Sequence, residues 1–92
     1  MVRYHIFVEG RVQGVGFRYL VQTHALTYQL TGSVKNLDNG MVEIYAQGNR
    51  DDLNAFLTTI MHGDGRFIEV NDYSCKEVPI VENEKRFRCD YY

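Results

Sequence analysis

Apolar and polar side chains alternate along several stretches of the chain, and this period of two predicts β-strands. The first strand ends at Gly10, and the turn Asp38-Asn39-Gly40 joins the second and third strands as a hairpin. Residues 67–75 predict a fourth strand with less regular alternation. The alternating positions of the other four strands are Tyr4, Ile6 and Val8; Val34 and Asn36; Val42, Ile44 and Ala46; and Phe87, Cys89 and Tyr91.

Two other stretches repeat their apolar residues every three or four positions, which predicts helices that lie on a core. The first helix begins at Phe17 and is expected to end near Gly32. The second begins after Asn49, with Asp52 three residues on, and stops at Gly63. The two stripes consist of Leu20, Val21, His24, Ala25 and Tyr28, and of Leu53, Phe56, Leu57, Ile60 and Met61.

The predicted order is therefore βαββαβ with one more strand at the end. This order is typical of an α+β, ferredoxin-like sandwich: a mainly antiparallel sheet, two helices on one face and an additional C-terminal edge strand. The chain has 92 residues and one proline, with neither a linker nor a repeat. We expect a single domain over residues 1–92.

A glycine-punctuated loop with the sequence GRVQGVGFR occupies residues 10–18, between the first strand and the first helix. No Ser, Thr, Asp or Asn stands directly before Phe17, so Gly16 is a weak substitute for a side-chain cap. Gly14 and Gly16 permit positive φ angles, which suits a nest of N–H groups around a phosphate-like anion. The alternative is an ordinary glycine-rich turn with Arg18 as a solvated surface charge.

Known nucleotide-binding loops do not fit these residues. The dinucleotide pattern requires a third glycine where Tyr19 stands, and the P-loop pattern requires Gly-Lys followed by Ser or Thr.

Asn36 is predicted to lie near this loop. In the expected sheet the first two strands point the same way and are separated by one strand, about 10 Å between centres. Asn36 shares its parity with Val34, so its side chain should face the helices. A phosphoryl group and one water would fit between the loop and Asn36, although a structural cap is the ordinary role of an asparagine before a turn.

The loop and the segment GSVKNLDNGMVE at residues 32–43 together resemble the two signatures of the acylphosphatase family. The resemblance implies the ferredoxin-like fold and hydrolysis of small acyl phosphates, with no covalent intermediate, cofactor or metal. It identifies Arg18 and Asn36 as the catalytic residues, Arg18 as a donor fork for phosphoryl oxygens and Asn36 as a residue that orients water. The amides expected to bind the phosphate are those of Gln13, Gly14, Val15, Gly16 and Phe17.

Composition limits the classes of partner that we expect for this protein. The formal net charge of −2 argues against a protein held on nucleic acid or an anionic membrane. No apolar run approaches the ~20 residues of a membrane span, and we expect a cytoplasmic monomer. His5, His24 and His62 lack metal-ligand spacing. Cys75 and Cys89 are interpreted as reduced packing residues, and the family fold implies that their strands lie at opposite edges of the sheet.

Two other functions share these features. One is a non-catalytic module that binds phosphate or carbamoyl phosphate, as in larger proteins that contain an acylphosphatase-like domain. The other is an RNA-binding domain of the RRM type, which has the same βαββαβ order. The predicted third strand, residues 41–45, lacks the Gly-Phe-x-Phe type of stacking signature, which makes the RNA-binding function the weaker of the two.

Overall fold

The computed structural model describes residues 1–90, which form five strands and two helices. In chain order these are β1 (Val2–Arg11), α1 (Phe17–Thr27), β2 (Thr31–Asn36), β3 (Val42–Gly48), α2 (Arg50–Met61), β4 (Glu69–Val78) and β5 (Phe87–Asp90). This order confirms the predicted one. Tyr91, which the alternation placed in the last strand, lies outside the described residues.

The strands form one sheet in the order β4-β1-β3-β2-β5. All neighbours pair antiparallel except β2 and β5, which run parallel. Both helices pack on one face, α1 against β2 and β5 and α2 against β3, so the fold is the predicted ferredoxin-like α+β sandwich. β3 separates β1 from β2, as expected, and therefore the β1–α1 loop and the end of β2 lie at the same end of the sheet.

The core fills the space between the sheet and the helices. Alternation buries one face of the central strands, on which Ile6, Val34 and Ile44 are completely buried. The helices meet this face with the predicted stripes, whose fully buried members are Val21, Ala25, Leu53, Phe56 and Ile60, and with Phe17 at the start of α1. The two periods in the sequence therefore identified the centre of the core, whereas four other stripe members are only partly buried: Leu20, Tyr28, Leu57 and Met61.

The end of α1 differs from the prediction. The helix stops at Thr27, well before Gly32, because Gln29 adopts a left-handed conformation at φ +57° and Leu30 N–H bonds back to the Ala25 carbonyl at 2.8 Å. Gly32 lies inside β2 instead, where a Cβ would collide with the carbonyl oxygen of Tyr45. A glycine at this position therefore allows two strands to approach closely, and it does not cap a helix.

The interpretation of Cys75 as a packing residue is wrong, whereas Cys89 does pack against the core. Cys75 is exposed because it lies on β4, at the edge of the sheet beyond the strands that the helices cover. The two cysteines are at opposite edges of the sheet, as expected, since β5 forms the other edge.

Candidate active site

A cavity of about 210 Å³ opens where the β1–α1 loop meets the ends of β2 and β5. Five of the predicted site residues line it: Gly14, Gly16, Phe17, Arg18 and Asn36. The structure thus brings together two segments that the sequence separates by some twenty residues, the glycine loop and the end of the second strand.

The loop adopts the conformation that its glycines suggested. Gly14 has φ +73° and Gly16 has φ +87°, and Gly16 occupies the N-cap position of α1 without a side-chain hydrogen bond. A Cβ at either glycine would meet nothing within 4 Å, so it is the backbone conformation and not a lack of space that favours glycine there. The N-terminus of α1, with its unsatisfied N–H groups and positive dipole end, lies at the cavity.

Arg18 lies in the first turn of α1 and is held from the opposite side of the cavity. Its Nη1 donates a hydrogen bond to the main-chain carbonyl of Asp90 at 3.0 Å. Asp90 is the last residue of β5 and stands opposite Lys35 in the parallel pairing with β2. The guanidinium is therefore fixed beside the strand end that carries Asn36.

Asn36 is the last residue of β2, and its side chain lies on the helix side of the sheet, as its parity predicted. Its Oδ1 is buried and has no hydrogen-bond partner among residues 1–90. An unpaired buried carbonyl oxygen costs about 1–3 kcal/mol, so it needs an explanation. At a cavity wall, a bound molecule with an O–H group would supply the missing donor.

Gln13 and Val15, also predicted as loop residues that bind phosphate through their amides, do not line the cavity with their side chains. Val15 is half-buried against the core. The Gln13 side chain turns away toward the hairpin, where Nε2 donates to the carbonyls of Leu37 at 2.7 Å and Met41 at 2.8 Å. The role of the loop amides stays a prediction.

Four lining residues were not among those predicted: Val12, Tyr19, Gln22 and Cys89. Gln22 follows Arg18 by four positions, so helical spacing could have placed both side chains on one face. Cys89 carries no comparable local signal, because it reaches the cavity only through the parallel pairing of β5 with β2.

Within residues 1–90 no group of three or more His, Cys, Asp and Glu side chains lies close enough to hold a metal ion. His5 stands apart from the cavity on the open face of the sheet, where its ring stacks on Tyr45 with 4.1 Å between centroids and its Nε2 lies 2.8 Å from a Glu43 carboxylate oxygen. Within residues 1–90, neither α1 nor α2 is long and apolar enough to cross a membrane.

Comparison with known proteins gives one consistent result. The family model described as Acylphosphatase matches residues 4–89. An acylphosphatase of Clostridium acetobutylicum is 50% identical over 91 residues, which cover 99% of each chain. The crystal structure of acylphosphatase from Bacillus subtilis shares a TM-score of 0.93 and 45% identity, and the match covers 99% of this chain and 100% of that one.

A larger protein contains a similar unit. The crystal structure of T. kodakarensis HypF matches with a TM-score of 0.87 and 33% identity, over 100% of this chain and 12% of that one. The matches to stand-alone acylphosphatases cover nearly the whole of both partners. The chain therefore belongs to the acylphosphatase family of hydrolases.

Proposed function

We propose that this enzyme hydrolyses acyl phosphates to a carboxylate and inorganic phosphate in the cavity between Arg18 and Asn36. One observation carries the proposal: three groups line the same small cavity, namely a guanidinium, a buried amide oxygen with no partner among residues 1–90, and a helix N-terminus without a side-chain cap. Family membership supports the class of reaction. The geometry supports the assignment of roles.

The phosphoryl group would bind at the loop. Arg18 offers a planar, permanently charged fork that matches phosphoryl oxygens, and its bond to the Asp90 carbonyl pre-orients it. The positive end of α1 adds backbone donors, which we assign to the amides of Gln13, Gly14, Val15, Gly16 and Phe17. These donors stabilise charge on the equatorial oxygens as the bond to phosphorus breaks.

Asn36 would orient the attacking water. An asparagine is not a base of useful strength, but its Oδ1 accepts a hydrogen bond and its Nδ2 donates one. The buried Oδ1 has that acceptor position open among the described residues. A water held there would be aimed at a phosphoryl group in the loop.

The reaction needs no further proton donor. The water oxygen forms a bond to phosphorus while the bond between phosphorus and the acyl oxygen breaks, and that electron pair leaves with the carboxylate. Both protons of the water go to the phosphate product. A carboxylate is a good leaving group without protonation, whereas an alkyl phosphate ester would require a general acid, so acyl phosphates are the substrates that fit this site.

The test is phosphate release from acetyl phosphate and benzoyl phosphate in the presence of EDTA. Arg18→Ala and Asn36→Ala should each lower the rate by at least about 10²-fold while circular dichroism shows a folded protein. The matched controls are Arg50→Ala and Asn54→Ala, which remove the same groups from α2 outside the cavity. Both controls should keep the rate of the wild type.

Other outcomes would point to the alternative functions. A wild type that binds phosphate but releases none would be a non-catalytic binding module, the function suggested by a similar unit within a much longer chain. RNA binding has little support, because the His5 and Tyr45 rings on the open sheet face are stacked on each other. A single domain over residues 1–92, a monomer and a cytoplasmic location stay predictions.

A further inference from the structure

The two halves of the cavity belong to parts of the fold that share no strand pairing. The loop follows β1, Asn36 ends β2, and β3 lies between these strands. The Gln13 side chain spans this gap. The Gln13 amide donates to the carbonyl of Leu37 at 2.7 Å and to that of Met41 at 2.8 Å, so both of its hydrogens are used.

The hairpin does not need Gln13 in order to close. Leu37 N–H bonds to the Met41 carbonyl at 2.8 Å, and Gly40 N–H bonds to the Leu37 carbonyl at 3.1 Å. These bonds form the turn from within. The Gln13 bonds are additional, and they fix the position of the finished turn relative to the loop.

We propose that Gln13 is a positioning residue for hydrolysis, whose side chain sets the distance between Asn36 and a phosphoryl group bound at the loop. The proposal rests on the proposed function, since Gln13 acts through Asn36. Leu37 directly follows Asn36 in the chain, so the bond to its carbonyl constrains the backbone that carries the Asn36 side chain. In-line attack is sensitive to such placement: a shift of about 1 Å can cost about 10²-fold in rate.

The decisive variant is Gln13→Met, which keeps the length of the side chain and removes both donors. Its matched control is Gln47→Met. The Gln47 side chain also bonds to main-chain groups, donating to the Val81 carbonyl at 2.9 Å and accepting from Val81 N–H at 2.7 Å. Gln47 pairs with Arg3 at the start of β1, away from the loop, and its Oε1 also accepts a hydrogen bond from Arg3 Nη1 at 3.1 Å. The control therefore loses at least as many side-chain hydrogen bonds as Gln13→Met does and reports their structural cost.

Acetyl phosphate hydrolysis gives kcat, and competitive inhibition by inorganic phosphate gives the affinity of the loop. We expect Gln13→Met to lower kcat by about 10- to 100-fold and to change the phosphate inhibition constant by less than about 3-fold. Gln47→Met should keep kcat within about 2-fold of the wild type. In an Asn36→Ala background, adding Gln13→Met should lower kcat by less than about a further 3-fold, because the side chain that Gln13 positions is already absent.

Three results would overturn the proposal. They are an unchanged kcat in folded Gln13→Met, an equal loss of kcat and phosphate affinity, and a full further loss in the Asn36→Ala background. If Gln13→Met does not fold, Gln13→Asn gives the same comparisons, because it keeps the amide but is one methylene too short to reach both carbonyls. A wild type that does not hydrolyse acetyl phosphate would instead reject the proposed function itself.

Discussion

The guanidinium of Arg18 donates a hydrogen bond at 3.0 Å to the main-chain carbonyl of Asp90, 72 residues further along the chain. Asp90 ends the edge strand β5, which runs parallel to β2 and places Asp90 opposite Lys35. The edge strand therefore does more than extend the sheet. It supplies a main-chain acceptor that helps to hold the cationic side chain next to Asn36.

Replacement of Arg18 by lysine tests whether the fork or only the charge matters. Arg18→Lys keeps the positive charge but has a compact ammonium in place of five donors in a plane. We expect kcat/KM for acetyl phosphate to fall by about 10²-fold, because the bidentate contact and the bond to Asp90 cannot both form. Arg50→Lys on α2 is the control, and an Arg18→Lys variant with the activity of the wild type would show that charge alone suffices.

The pH dependence of the reaction follows from the residues assigned to it. Neither an arginine nor an asparagine changes its charge near neutrality, so kcat should be nearly flat from about pH 6 to about pH 8. Steady-state hydrolysis of acetyl phosphate across this range checks the expectation. A bell-shaped profile with limbs near these limits would require a titrating acid and base.

Gly32 should tolerate no side chain. It has φ +141°, and a Cβ there would collide with the Tyr45 carbonyl of the neighbouring strand. Gly32→Ala is expected to lower the free energy of unfolding by at least about 3 kcal/mol, as measured by urea denaturation. Gly65→Ala, at φ +74° with nothing within 4 Å, should cost only about 1–2 kcal/mol, the cost of the left-handed conformation. Equal losses at the two sites would contradict the steric explanation.

The cap of α2 should contribute to stability without affecting catalysis. Asn49 Oδ1 accepts a hydrogen bond from Asp51 N–H at 2.9 Å. Asn49→Ala should lower the free energy of unfolding by about 1 kcal/mol, and Asn49→Ser should restore most of it. The hydrolysis rate should stay unchanged, because Asn49 follows Gly48, which pairs with Val2 at the end of the sheet opposite the loop.

Asp64 links stability to pH. Its carboxylate accepts hydrogen bonds from the N–H groups of Ile68, Arg66 and Phe67, and these bonds hold the pKa of Asp64 below its ordinary value of 3.8. With a lower pKa in the folded state, the stabilisation is fully present above the unfolded pKa and is lost as pH falls through the folded one. The difference in free energy of unfolding between the wild type and Asp64→Ala, measured by urea denaturation, should be constant above about pH 5 and should decrease in acid. A difference that does not change with pH would contradict the linkage.

Much of the fold could be predicted because its signals are local. The spacing of Val21 and Ala25 on α1, the turn before Met41 and the cap at Asn49 each depend on a few neighbouring residues. The end of α1 was misplaced because Gln29 took the left-handed position that the sequence favoured for a glycine. The exposure of Cys75 was missed because an edge strand beyond the helices has the same local pattern as a covered one.

For the candidate site, the sequence indicated the participating residues better than it indicated the hydrogen bonds that connect them. The glycine positions in the loop and the inward face of Asn36 follow from backbone geometry over a few residues. The hydrogen bonds that hold Arg18 and Gln13 do not, since their acceptors lie on β5 and in the β2–β3 hairpin.

The sequence by itself determined which residues form strands and helices, which face of each is apolar, and which residues have the chemistry to bind a phosphoryl group. These properties depend on side-chain periodicity and on φ angles that only glycine adopts readily. Only the tertiary structure decided that Cys89 reaches the cavity, that the Asp90 carbonyl holds Arg18, and that Gln13 spans the loop and the hairpin. The physical reason is that the burial of the whole core determines which strands become neighbours. A hydrogen bond between distant residues therefore leaves no signal in the sequence around either partner.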